Sequence, residues 1–288
     1  MVEKDTSLKL KALTEKITSI PTLPTVITKI TQLMQNPRIS ADEVGKAISS
    51  DQSLASKVLR LVNSAFYGFP GRINTITHAI VILGFNTVKN IVLTASIFET
   101  FGKDGKEKDF ELDKFWLHSI AVGAIARTLA KQMNFKGHEE AFISGLMHDI
   151  GKVVLAQFAR ELFLKVLDKR KEKNCLIFDA EMEVLGVSHQ DVGGWLIEKW
   201  NLPGDLHSCV RNHHYPTVSR NYFTITALTH LADIFARTLG LGSGGDNRMP
   251  GMDTKAWDML NPNDKFLEKQ FSESEQEVEK AAVFLQII

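Results

Sequence analysis

The stretch Gly145-Leu-Met-His-Asp-Ile-Gly-Lys152 constrains this chain more than any other. An apolar run, Ala141 to Met147, leads straight into His148 and Asp149, and Gly151 and Lys152 follow. An imidazole beside a carboxylate is a mixed nitrogen/oxygen pair suited to a divalent transition metal. Two ligands hold a metal poorly, so the fold must bring others to the same place. The sequence offers His118, His189, His213, His214 and Asp233.

The pattern around this stretch is helical throughout. A mixed-charge helix is expected over residues 1–18, broken at Ser19-Ile-Pro-Thr-Leu-Pro24, because two prolines in four residues cannot sit inside a helix. Val26, Ile27, Ile30, Leu33 and Met34 recur at helical spacing up to Asn36-Pro37. Ser40 with Glu43 reads as a capping box, and Asp51 as the cap of the next helix. Asn63-Ser-Ala-Phe-Tyr-Gly-Phe-Pro-Gly71 reads as a loop whose aromatics pack onto something. Ile76–Leu83 is a further helix, and Asn86 is expected to cap a long apolar one, Val88–Phe98. Polar residues 102–109 read as a surface linker.

Beyond it, helices are expected near 114–133, over 139–158, over 161–173 and over Phe178–Leu185. Ser188 and Asp191 form a capping pattern that places His189 in the first turn of a helix running to Trp200. Pro203 fits the first turn of a helix reaching His213 and His214, ended by Tyr215-Pro216. Thr224–Leu239 carries Asp233. Residues 240–251 are Gly-rich and loop-like, and 253–288 hold one or two helices, with an acidic start at Phe271–Val278 suited to a helix N-terminus. The fold class is all-α, a multi-helix bundle. The expected organisation is 1–105 as an N-terminal helical half, 106–240 as a metal-binding half and 241–288 as a C-terminal extension.

Composition narrows the function classes. Lys+Arg and Asp+Glu are equal at 34 each, which argues against a dominant nucleic-acid or membrane-surface role and leaves only a local basic patch open. Ser40–Asn63 has the length of a helix-turn-helix, but its second helix carries only Lys57 and Arg60 as cations, so it reads as core and DNA binding is not expected. Cys175 and Cys209 have no CxxC spacing, and the polar N-terminus lacks an apolar signal region. No apolar window is long enough to span a membrane, so a cytoplasmic location is expected.

The candidate ligands lie on or beside five different helices, which is how helical proteins build metal sites in a core. Imidazole with carboxylate suits Fe, Mn, Ni, Zn or Co better than Ca, and a two-ion site would activate water for attack on a phosphate ester. His78, His138 and His207 show no partner pattern. His230 lies three residues before Asp233 on one helix face and reads either as a partner behind a ligand or as a packing residue. Trp116, Trp195 and Trp200 read as core, and Gly193-Gly194 as a close helix contact.

His118, Leu146-Met-His148-Asp149-Ile-Gly-Lys152 and Asp233 in Leu231-Ala-Asp-Ile resemble the HD superfamily of metal-dependent phosphohydrolases, whose ligand order is H…HD…D. Ile20-Pro-Thr-Leu-Pro24, Ile48-Ser-Ser-Asp51, Val58-Leu-Arg-Leu-Val-Asn63-Ser-Ala65 and Ile73–Gly84 resemble the HDOD family of HD-related output domains. The likeness continues through His189-Gln-Asp-Val-Gly and Trp200-Asn-Leu-Pro203 to His213-His214-Tyr-Pro216, and so covers about 20–235.

The resemblance implies a bacterial signal-transduction module that binds one or two divalent ions (Fe, Mn, Ni or Zn). It implies His118, His148, Asp149 and Asp233 at one ion, and His189, His213 and His214 at a second, with Asp149 bridging. Asp149 and Lys152 would be the catalytic groups if the site is hydrolytic, with Lys152 near a phosphate or the activated water. The implied partner is a signalling protein or a nucleotide-like small molecule. The alternative is a metal-dependent phosphohydrolase or phosphodiesterase acting on a nucleotide. The related HD-GYP phosphodiesterases carry HHExxDGxGYP and a glutamate four residues before the first His. Here His214 is followed by Tyr215-Pro216 and position 114 is Lys, which argues against cyclic di-GMP hydrolysis and a third metal.

Overall fold

The computed structural model describes residues 20, 22–34, 36, 38–102, 106–107 and 110–287. The helix expected over 1–18 lies outside the described residues. Those residues are helical apart from loops and one two-residue antiparallel pair, Lys106–Glu107 with Phe110–Glu111. The fold is all-α. No described helix is long and apolar enough to cross a membrane.

The chain divides into two compact units. The first holds the described residues of Thr22–Lys103 and Gln276–Ile288. It contains α1 (Thr25–Leu33), α2 (Ala41–Ser49), α3 (Gln52–Val62), α4 (Ile76–Leu83) and α5 (Phe85–Phe101). The Ser40–Glu43 capping box forms, and Asp51 accepts from the Leu54 amide as cap of α3. Asn86 is not a cap: the long helix starts one turn earlier than expected, at Phe85, because Gly84 takes φ 84° and redirects the chain straight into it. Asn63 holds the aromatic loop, accepting from the Ile73 amide and donating to the Ile73 carbonyl, each at 2.8 Å. Phe66 is buried edge-on against Phe284, 5.3 Å between centroids.

The second unit holds Ile20 and the described residues of Asp104–Glu275. Its helices are α6 (Leu112–Gln132), α7 (His138–Met147), α8 (Ile150–Phe158), α9 (Arg160–Lys173), α10 (Ile177–Leu185), α11 (His189–Lys199), α12 (Gly204–Asn212), α13 (Phe223–Thr238) and α14 (Thr254–Leu260). A last helix, α15, covers Asp264–Ala281. Phe271–Val278 lies inside α15, so no helix begins at its acidic residues. Pro203 is the residue before α12 rather than its first position. The core of this unit is the α6–α7–α13 layer, where a Cβ on Gly145 would lie 2.7 Å from the Cα of Gly123.

The largest departure from expectation concerns the helix over 139–158. It is two helices, α7 and α8, broken at His148-Asp149. Asp149 takes φ −102°, ψ 10° and precedes α8. In a continuous helix, neighbouring side chains diverge by about 100°. The break turns both into one interior space instead.

Candidate metal centre

Each candidate side chain reaches that space from a helix or a helix end. His118 stands mid-way along α6, and Asp233 within α13. His148 and Asp149 form the α7–α8 break, with Lys152 in the first turn of α8. His189 opens α11, fixed by the Ser188–Asp191 capping box. His213 ends α12 and His214 follows it. His148, Asp149, Lys152, His189 and His213 are fully buried.

All seven candidate ligands come together, as overlapping groups. His118, His148 and Asp233 form one, with donor atoms within 4.8 Å of one another. His189, His213 and His214 form a second by the same measure, and His148, Asp149 and His213 a third that joins them. His118 Nε2 lies 3.0 Å from Asp233 Oδ1. Asp149 Oδ2 is 3.2 Å from His148 Nε2, and its Oδ1 is 3.1 Å from His189 Nε2 and 3.5 Å from His213 Nε2.

The far side of each ring determines what the near side offers. His148 Nδ1 donates to the Gly145 carbonyl at 2.7 Å, and His213 Nδ1 to the Val210 carbonyl at 3.0 Å. His189 Nδ1 donates to Glu181 Oε2 at 2.6 Å, and His118 Nδ1 faces the Leu241 carbonyl at 3.4 Å. With Nδ1 carrying the proton in His148, His189 and His213, the Nε2 of each of these three rings presents a lone pair inward. The inner face is therefore rich in acceptors. His189 Nε2 and His213 Nε2 are 3.4 Å apart. His118 Nε2, His148 Nε2 and Asp149 Oδ1 are buried and make no hydrogen bond. Converging lone pairs and carboxylate oxygens repel one another unless a cation or proton sits among them, so these residues fit a divalent transition ion.

Titration behaviour agrees with neutral imidazoles. Burial lowers His118, lowers His213 to about 4, and pushes His214 well below its usual value, where the neighbouring His213 adds to it. His189 is the exception. Burial is the largest influence and would lower it too, but the Glu181 and Asp149 carboxylates together raise it. Burial would raise Asp149, yet His148, Lys152 and His189 hold it well below the carboxylate range. Arg237 does the same for Asp233 against the same burial.

Three partners were not anticipated from sequence. Glu181 is fully buried, and its Oε2 also accepts from the His189 amide at 2.8 Å. Arg237 Nε donates to Asp233 Oδ1 at 2.8 Å, and its Nη1 to Asp246 Oδ1 at 2.9 Å. The segment 241–246 walls the site: Lys152 Nζ donates to the Gly244 carbonyl at 2.8 Å and to Asp149 Oδ2 at 2.6 Å. Arg237 had a readable signal, its four-residue spacing from Asp233 on one helix face. Glu181 and the wall had none, since they reach the site only through packing. His230 proves to be a bonded partner: Nδ1 donates to the His213 carbonyl at 2.8 Å and Nε2 accepts from the Asp253 amide at 2.9 Å.

Residues 20–216 match the HDOD domain. The chain belongs to the HDOD family. A crystal structure of an HDOD domain protein of unknown function from Geobacter sulfurreducens aligns at 25% identity and TM-score 0.78, over 96% of this chain and 97% of that one. A candidate signal transduction protein from Marinobacter aquaeolei VT8 aligns at 20% identity and TM-score 0.75, over 98% of this chain and 66% of that one. A structure from Shewanella amazonensis SB2B, named a candidate metal-dependent phosphohydrolase, aligns at 17% identity and TM-score 0.65, over 98% and 99%. These last two share the fold. An uncharacterised protein of Treponema pallidum (strain Nichols) is 25% identical over 240 residues, 83% of this chain but 46% of that protein. The HDOD chain thus spans less than half the length of this curated relative.

Proposed function

We propose that this HDOD chain is a bacterial signalling module whose second unit binds one or two divalent transition ions through His118, His148, Asp149, His189, His213, His214 and Asp233. The observation that carries the reading is the shared orientation of the rings. His148, His189 and His213 each spend Nδ1 on an oxygen behind the ring and turn Nε2 toward Asp149. Packing alone does not require that agreement; a bound cation does. The candidate ions are Fe, Mn, Ni and Zn, which accept imidazole with carboxylate.

Two internal cations favour a signalling role over rapid turnover. Lys152 already occupies Asp149 Oδ2, and Arg237 already occupies Asp233 Oδ1. The ligands are nearly all buried, and the 241–246 segment lies over them. The reading includes a signalling protein or a nucleotide-like small molecule as partner.

One observation favours a second reading, a metal-dependent phosphohydrolase acting on a nucleotide. His214 is only half-buried and, with the exposed Tyr215, marks a side from which a phosphate ester would approach. There an ion would supply Lewis-acid charge, while Lys152 would hold Asp149 ionised and add positive charge. One protocol tests both readings. Metal content of the purified chain is measured, the chain is stripped with chelator, and Mn, Fe, Ni and Zn are titrated back calorimetrically. Phosphate mono- and diesters are then screened. Bound metal with no turnover supports the signalling module. Turnover abolished in His148→Ala and Asp149→Ala supports the hydrolase. Absence of binding for every ion overturns both.

A further inference from the structure

The two sides of the centre are not equivalent. On the side of His118, His148 and Asp233, both facing carboxylate oxygens are committed. Asp233 Oδ1 is the atom that faces His118 at 3.0 Å, and the same atom receives Arg237 Nε at 2.8 Å. Asp149 Oδ2, the oxygen nearest His148, receives Lys152 Nζ at 2.6 Å. An ion entering here meets two fixed positive charges and must share or displace them.

On the side of His189, His213 and His214 the reverse holds. Asp149 Oδ1 faces His189 and His213, is fully buried and has no hydrogen bond. Among the described residues no lysine or arginine donates to it. Behind His189 stands a carboxylate, Glu181, where His148 and His213 have a backbone carbonyl. A carboxylate on Nδ1 makes Nε2 a stronger donor toward a metal and locks the ring. Glu181 grips both the ring and the amide of His189 through one oxygen, so it fixes the ligand at two points.

We infer that the centre fills in order, the three-imidazole side first, with Glu181 as the positioning residue that strengthens it and Arg237 as the counter-cation that weakens the other side. This rests on the metal-binding reading above. The first ion takes a three-nitrogen, one-oxygen donor set from His189, His213, His214 and Asp149 Oδ1. Such a set suits Zn and, among spectroscopic probes, Co(II). The side with Asp233 takes the second, weaker ion.

The test uses the full chain, stripped with chelator and titrated with Co(II) and then Zn(II), read by calorimetry and by the visible Co(II) spectrum. Wild type is expected to show two events, the first at least ~10-fold tighter. Glu181→Gln is expected to weaken the first event by about 10–100-fold and leave the second in place, with partial recovery in Glu181→Asp. Arg237→Gln is expected to tighten the second event alone. His118→Ala should remove only the second event and His213→Ala only the first, and circular dichroism checks that each variant is folded. Cadmium NMR of the wild type at one equivalent reads the donor set directly, so the idea stays testable if a histidine variant fails to fold. A single event lost in His213→Ala and kept in His118→Ala also supports the order. A first event lost in His118→Ala, or unmoved in Glu181→Gln, overturns it while leaving metal binding intact. No event for either ion overturns the metal-binding reading itself.

Discussion

Gly151 packs its Cα against the backbone of His189: a Cβ there would run into the His189 carbonyl oxygen and lie 2.8 Å from the Gly193 amide nitrogen. This contact lets α8 and α11 approach backbone to backbone. It is also what brings Asp149, two residues before Gly151, to within 3.1 Å of His189 Nε2. Gly151→Ala should therefore destabilise by about 3 kcal/mol, since neither backbone can yield cheaply, and weaken metal binding as the helices separate. Urea denaturation with a parallel Zn(II) titration measures both. Gly251→Ala, with nothing within 4 Å of the added carbon, is the control and should change neither. Equal stability of the two variants would contradict the close approach.

Stability of the stripped protein should rise with pH between about 4 and 6.5. His213 has a folded pKa lowered to about 4 by burial. Between that value and the unfolded value the unfolded chain binds the extra proton, so the slope of stability with pH is positive there. His213 alone contributes roughly 3 kcal/mol across the window. His118 and His214 are shifted the same way and add to it. His189 is raised, so its own contribution is present at low pH and fades as pH climbs through its folded pKa, in part opposing the others. Denaturant midpoints measured from pH 4 to 7.5 should climb; a flat or falling profile would refute the neutral-imidazole assignment.

Removing the buried ammonium should expose how charge is balanced. Lys152→Met leaves Asp149 Oδ2 and the Gly244 carbonyl without their donor. Breaking one side of a buried ion pair costs about 3–5 kcal/mol. Zinc should restore more stability to this variant than it adds to wild type, because a cation returns to an uncompensated carboxylate. Melting temperatures with and without Zn(II) give the comparison. An identical zinc shift in both proteins would exclude a shared role for the two cations.

Two equivalent caps separate stability from site geometry. Ser40→Ala and Ser188→Ala each delete the hydroxyl of a formed capping box, and each should cost about 1 kcal/mol. Only Ser188 precedes a candidate ligand directly, so only Ser188→Ala should also lower metal affinity. If both leave affinity untouched, the His189 position does not depend on its cap.

The candidate site was legible as a set of residues but not as a machine. His148-Asp149 announced itself by placing polar groups at the end of an apolar run. His118, His189, His213, His214 and Asp233 could be named because each fell at a recognisable point of a helix pattern, and the family resemblance ordered them. Glu181 could not be named. It sits among ordinary helix residues, and nothing local distinguishes a carboxylate that will face His189 from one that will face water.

The same division holds for the fold. Period and punctuation were enough for the helices, because apolar spacing, Gly, Pro and the Ser/Asp caps act within a few residues. That is why Ser40–Glu43, Asp51 and Ser188–Asp191 were readable in place, and why the all-α class followed from sequence alone. The break at His148-Asp149 was not readable, since both residues tolerate a helix interior and no proline marks the site. It lies beside the place where Gly151 meets the backbone of His189, a contact between positions 38 residues apart in sequence. Which oxygen of Asp149 is committed to Lys152 and which is left facing His189 and His213 is likewise a matter of tertiary packing. Local sequence sets what a residue can donate or accept; only the assembled helices set what it meets.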